Sequence, residues 1–499
     1  MQFNSLLFAL FFGVVLLAYY VPPWSGRAGW GMQKGLLLAF SYLFYAAAHP
    51  PFAALLAFST VVDWFAAKGM HRADSLVARR GWLLASLATN LGMLGFFKYG
   101  EFLLVNFADA VHGLGWTGYE PPEWSILLPV GISFFTFQTL SYTIDVYRGN
   151  AEPWDSFLDF ALYVSFFPQL VAGPIVRATD FLPQLAPEER EGSTKVGRRA
   201  SGPQFSWGLS LLVVGLFEKV VVADGLLAPV ANQVFGSPGA EGATERLAEG
   251  YTFVSAWVGT LAFAGQIFCD FAGYSTCAIG VAMCLGFALP ENFRYPYAAV
   301  GFSDFWRRWH ISLSTWLRDY LYIPLGGNRG GRAFVYRNLM LTMLLGGIWH
   351  GAAWTFLAWG GLHGALLILE RGLRALPSAR WELWRRWYGE LFLISVTFAA
   401  ICVTWVFFRA GTFEQAWSML SALSGASGMG KGGLLLRDVG LTGVGVGGVL
   451  AVHYLLRNTT LEAVADRLPW WVTSCTLAAM TVLIVLSPPS DEAFIYFQF

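Results

Sequence analysis

The chain has 499 residues, of which 56% are hydrophobic and only 13% charged, about half the charged share of an ordinary globular domain, and its mean hydropathy is +0.52. That composition excludes a soluble globular protein and predicts an integral membrane protein. Lys plus Arg balances Asp plus Glu at 32 each, so no basic excess points to nucleic acid as a partner.

The first apolar run, residues 3 to 20, lacks a basic leader and a small-residue cleavage site, and so predicts a retained helix instead of a signal peptide. Further apolar runs fall near 36–48, 52–67, 82–97, 124–144, 157–173, 205–223, 251–268, 271–289, 336–349, 352–369, 389–408, 439–456 and 470–487. Crossing the hydrocarbon takes about 17 to 25 helical residues. The pattern therefore predicts an all-α polytopic membrane protein with about 11 to 14 membrane helices, the shorter runs being tilted or re-entrant. No fixed-period repeat or long linker divides it, which predicts one domain over 1–499.

Basic loops belong on the cytoplasmic side. Three are visible: Lys68, Arg72, Arg79 and Arg80; Arg177, Arg190, Lys195, Arg198 and Arg199; and Arg294, Arg307, Arg308, Arg318, Arg329, Arg332 and Arg337. The acid-rich segments 106–123 and 236–250 then face outside. If runs 124–144 and 157–173 both crossed fully, the first two basic loops would fall on opposite sides. The stretch FFPQLVAGPI, 166–175, has two prolines and a glycine at membrane depth, and predicts a broken helix packed against protein there. Residues 302–332 are too charged to span, and Trp306, Trp309, Leu313, Trp316 and Leu317 recur at helical spacing, predicting an amphipathic helix at the cytoplasmic interface.

Asp63, Asp145 and Asp270 interrupt apolar runs, and Glu218–Lys219 closes another; a buried carboxylate needs a partner, so pairing is expected. Around Asp270, the residues Gln266, Tyr274, Ser275 and Thr276 predict a polar cavity. The loop GGNRGGR, 326–332, offers backbone N–H groups and Arg329 to a phosphate, or is an ordinary turn. All five cysteines lie in apolar runs without paired spacing and read as small buried hydrophobes.

His350 lies in LLGGIWHGAAW, 344–354, where every other residue is apolar or glycine. An ionisable ring at bilayer depth marks a functional site by default, with a structural hydrogen bond as the alternative. A neutral imidazole there would serve as a general base. His310 lies forty residues earlier in the amphipathic stretch, where a solvated interfacial ring is the simpler reading, and His363 follows in another glycine-flanked run, where packing is. Their spacing fits no zinc motif, so no metal is expected.

The stretches FWRRWHISLSTWLRDYLYIPLGG and GGIWHGAAWTFLAWGGLHG resemble the membrane-bound O-acyltransferase superfamily, and within it the bacterial alginate-O-acetylating branch. PVGISFFTFQTLSYTIDVYRG, FFPQLVAGPI, PENFRYPY and the terminal FIYFQF carry the same resemblance. It implies acyl transfer, a helical core around a funnel or tunnel, and an apposed histidine pair, with His350 in the catalytic position and His310 in the second. It further implies an acyl-thioester co-substrate (acetyl-CoA or an acyl carrier) and no bound cofactor. The donor would approach from the cytoplasm, where Arg307, Arg308 and Arg329 would engage its phosphates. The other implied partners are an extracytoplasmic polysaccharide acceptor and a periplasmic acetyltransferase, at a bacterial inner membrane. Asp270 would shape the acceptor side. The chain reads DFAGYST where the family commonly reads DFSGYSD, so Ala272 and Thr276 replace a hydroxyl and a carboxylate. Two other readings are a secondary transporter or flippase, which would need paired broken helices in two related halves, and a lipid O-acyltransferase of the same superfamily.

Overall fold

The computed structural model describes residues 2–22, 24, 26–47, 49–123, 126–186, 198–236, 250–430, 432–488 and 494–495. Arg190, Lys195 and the acidic residues Glu241, Glu245 and Glu249 lie outside the described residues, so part of the second basic loop and of one acid-rich segment is not described. The described secondary structure is helical throughout, with no strand, as expected of a chain that must satisfy its backbone inside lipid.

Four described helices are long and apolar enough to cross a membrane: Pro50–Arg72, Phe253–Cys284, Trp387–Arg409 and Leu436–Leu456. Leu6–Tyr20 and Trp470–Leu486 are shorter apolar helices. The runs 251–268 and 271–289 were separate in the sequence pattern but form one helix of 32 residues, Phe253–Cys284. Asp270 had marked the gap between them, and a carboxylate with buried partners does not end a helix. The run 157–173 breaks as expected. Phe157–Ser165 stops at Phe166, and a single turn, Phe167–Leu170, follows. Residues 159–176 are buried throughout, so the freed backbone groups face protein.

The described chain divides into two compact units. The first comprises residues 1–212 and 277–290. Its helices Gly26–Ala46, Pro50–Arg72, Leu76–Gly113 and Ile132–Arg148 pack together, while Leu6, Leu10, Leu17 and Val21 on the outer face of the first helix are exposed, as lipid-facing residues should be. Here the buried Asp63 accepts from Ser86 Oγ at 2.6 Å and from Asn90 Nδ2 at 2.9 Å on each oxygen.

The second unit comprises 213–276 and 291–499. Its central feature is the hairpin of Arg332–His350 and Trp354–Arg374. A Cβ on Gly347 would lie 2.3 Å from Phe356 O, and one on Gly360 2.3 Å from Met343 O, so glycine lets the two backbones touch. Gly351 similarly accommodates the Phe356 ring. The glycines flanking His350 thus serve helix packing.

Candidate active site

His310 was expected at a solvated interface on one amphipathic helix. Instead the segment breaks into Phe302–Arg308 and Ile311–Leu317, with Trp309 and His310 at the corner. His310 adopts a left-handed conformation, φ 44°, and its side chain is fully buried. Among the described residues only Tyr295 shares a positive φ without being glycine. Such backbone costs about 1 to 3 kcal/mol and persists only where its surroundings over-determine it. Here they do: Ile311 N donates to Asn292 O at 2.8 Å and Arg294 N to Arg308 O at 2.9 Å, so one strap of chain holds both sides of the corner.

The corner turns His310 toward His350, with ring centroids 6.4 Å apart. His350 is the last residue of Arg332–His350 and 3% exposed. Trp349 lies 5.0 Å, Trp359 5.1 Å and Phe408 5.5 Å from the His350 ring; Phe271 meets His310 edge-on at 4.7 Å. Aromatic rings thus wall this buried chamber. Burial pushes the His310 imidazole from its usual 6.5 down to about 3, so that ring is neutral. A hydroxyl beside the His350 ring could donate its proton there at the 2.6 to 3.2 Å or so that proton transfer requires.

His363 differs. Its Nδ1 accepts from Trp306 Nε1 at 3.2 Å and its Nε2 lies 3.0 Å from Thr404 Oγ1. Both nitrogens are engaged in holding Trp306 and the Trp387–Arg409 helix, and its ring packs on Trp359 at 4.6 Å.

Asp270 pairs with Lys219 at 2.7 Å, and Lys219 also meets Asp224 at 2.8 Å. Its second oxygen accepts from Ile495 N at 2.7 Å, which seats Phe494 4.8 Å from Tyr274 and 5.8 Å from Phe271. The expected polar cluster therefore separates: Asp270 faces Lys219 and the C-terminal segment, while Ser275 faces Asn292. The arginines separate too. Arg308 is tied to Asp304 at 3.0 Å and to Arg457 O at 3.2 Å; Arg307 has 65% of its side chain exposed, and Arg329 sits exposed on the glycine turn. Among the described residues no group of three or more His, Cys, Asp or Glu could hold a metal.

Sequence reasoning passed over Asn292, Lys219 as the partner of Asp270, and the wall formed by Trp359 and Phe408. Asn292 lay inside PENFRYPY between Glu291 and Phe293, where nothing local set it apart from its polar and aromatic neighbours.

The model of the membrane-bound O-acyltransferase family matches residues 154–410, a span that contains both histidines. The probable alginate O-acetylase of Azotobacter vinelandii is 39% identical over 85% of this chain and 78% of its own length. That of Pseudomonas putida is 36% identical with both chains covered in full. The peptidoglycan O-acetyltransferase of Helicobacter pylori is 36% identical over 86% of this chain and 80% of its own. A matched span holding the buried histidine pair, and relatives covered over most of their length, lead to one conclusion: this chain belongs to the membrane-bound O-acyltransferase family and is an O-acyltransferase of the membrane.

Proposed function

We propose that the protein takes an acetyl group from a cytoplasmic thioester donor, acetyl-CoA or an acyl carrier, and delivers it for O-acetylation of an extracytoplasmic polysaccharide such as alginate, with a periplasmic acetyltransferase as partner, at a bacterial inner membrane. The observation that carries this reading is the buried apposition of His310 and His350 at 6.4 Å. His350 takes the proton of an attacking hydroxyl; its oxygen bonds to the thioester carbon, the carbon–sulfur bond breaks, and the leaving thiolate takes the proton back from the imidazolium. Aromatic walls exclude the water that would hydrolyse the thioester. Arg307 and Arg329, exposed on the basic segment, meet the donor's phosphates. Asp270 acts on the chamber through the C-terminal segment it anchors. Relatives named for alginate and peptidoglycan acetylation favour a polymer acceptor over a lipid.

The test is His350→Gln, which keeps much of the volume and hydrogen bonding of imidazole but takes no proton at neutral pH. Polymer O-acetyl content should fall about 10²- to 10⁴-fold while the variant accumulates in membranes as the parent does. Near-normal acetylation by a well-folded variant would refute the assignment.

A further inference from the structure

Asn292 is 1% exposed and its amide has one chemically allowed orientation. Its Oδ1 lies 3.3 Å from Ser312 N and 2.8 Å from Ser312 Oγ. A backbone N–H can only donate, so the oxygen and not the amide nitrogen must occupy that position. The nitrogen then donates to Ser275 Oγ at 3.1 Å. His310 Nδ1 lies 3.1 Å from the same Oδ1. Facing an oxygen that only accepts, Nδ1 must carry the ring proton, and the neutral ring holds its lone pair on Nε2.

We infer that Asn292 is a positioning residue that fixes His310 in the Nδ1–H tautomer, so that Nε2 accepts a hydrogen bond from a second donor of the bound acceptor, such as a hydroxyl next to the attacking one, and leaves the single proton of the attacking hydroxyl to His350. In this tautomer the neutral ring has no Nε2 proton to donate to the oxyanion, so the second histidine holds the acceptor in place. The inference rests on reading the histidine pair as the transfer site. Of the titratable groups on elements packed around His310, His350 lies across the chamber, and Asp270, next in sequence to Phe271, is paired with Lys219.

Three measurements on the full-length protein in lipid test it. In ¹⁵N spectra of histidine-labelled protein, the signals lost in His310→Gln should report a protonated Nδ1 and an unprotonated Nε2; the opposite pattern overturns the inference. Asn292→Leu should lower kcat at least about tenfold, as loss of an orienting partner does, with the donor KM within about twofold of the parent's. Asn292→Asp keeps the accepting oxygen but places a carboxylate's negative charge beside the ring, which raises the pKa of His310. The imidazolium, which cannot accept, then forms at higher pH, so transfer should be lost as pH falls through a new acid limb absent from the parent. An undiminished kcat in Asn292→Leu, or no new limb in Asn292→Asp, overturns it; if Asn292→Leu does not accumulate, the spectra and the aspartate variant decide. Were His310→Gln and His350→Gln both active, the transfer-site reading itself would fail, whatever Asn292 did.

Discussion

Asp63 and Asp270 both lie fully buried in helices long enough to cross a membrane, and the two units treat them oppositely. Asp63 is held by Ser86 and Asn90 of the neighbouring helix, with Thr139 bonded in turn to Asn90. Its partners are neutral hydroxyls and an amide. Asp270 is held by the ammonium of Lys219, which Asp224 shares, and by a backbone N–H of the C-terminal segment. The first arrangement ties helices together. The second gathers charge one residue from Phe271, whose ring stands perpendicular to that of His310 at 4.7 Å, and links distant segments to the wall of the chamber.

The difference can be broken at its strongest point by Lys219→Met. Removing one partner of a buried ion pair strands the other charges and costs about 3 to 5 kcal/mol, here with two carboxylates stranded. Steady-state accumulation and the thermal midpoint in detergent should both drop sharply. Adding Asp270→Asn should recover part of the loss; wild-type behaviour of Lys219→Met would mean the network is not what holds this region.

Asp63→Asn should be milder, about 1 to 3 kcal/mol, because it exchanges charge-assisted hydrogen bonds for neutral ones and sets one amide donor against another. The thermal midpoint should fall while transfer per folded molecule is unchanged. A selective loss of transfer would give the first unit a part in the chemistry that its hydrogen-bonded cage does not suggest.

The smallest effect belongs to Arg307→Gln. The side chain is 65% exposed, so stability should change by no more than about 0.5 kcal/mol. The donor KM should rise at low salt, and the rise should shrink as ionic strength screens the charge. A KM insensitive to both the substitution and salt would remove Arg307 from the donor route.

Much of the site was legible in the sequence, for identifiable reasons. His350 stood out because an ionisable ring among glycines and apolar residues has no solvation to explain it. The break at FFPQLVAGPI was legible because proline at membrane depth frees backbone groups that lipid cannot satisfy. His310 was the harder case. Trp309, Leu313 and Trp316 keep helical periodicity across the corner, so the pattern read as one continuous surface helix; the left-handed residue that breaks it is held by bonds to residues 292 and 294, nearly twenty positions away.

The sequence by itself determined the solvent, the helical class and the ionisable groups that had to be accounted for, because each follows from transfer energies and backbone satisfaction summed locally along the chain. Only the tertiary structure decided their partners: that Asp270 meets Lys219 and Ile495, that His310 meets Asn292 and His350, and that His363 spends both nitrogens on Trp306 and Thr404. Those pairings join residues between 18 and 225 positions apart, and hydrogen-bond direction and tautomer exist only once two such groups are brought within about 3 Å of each other.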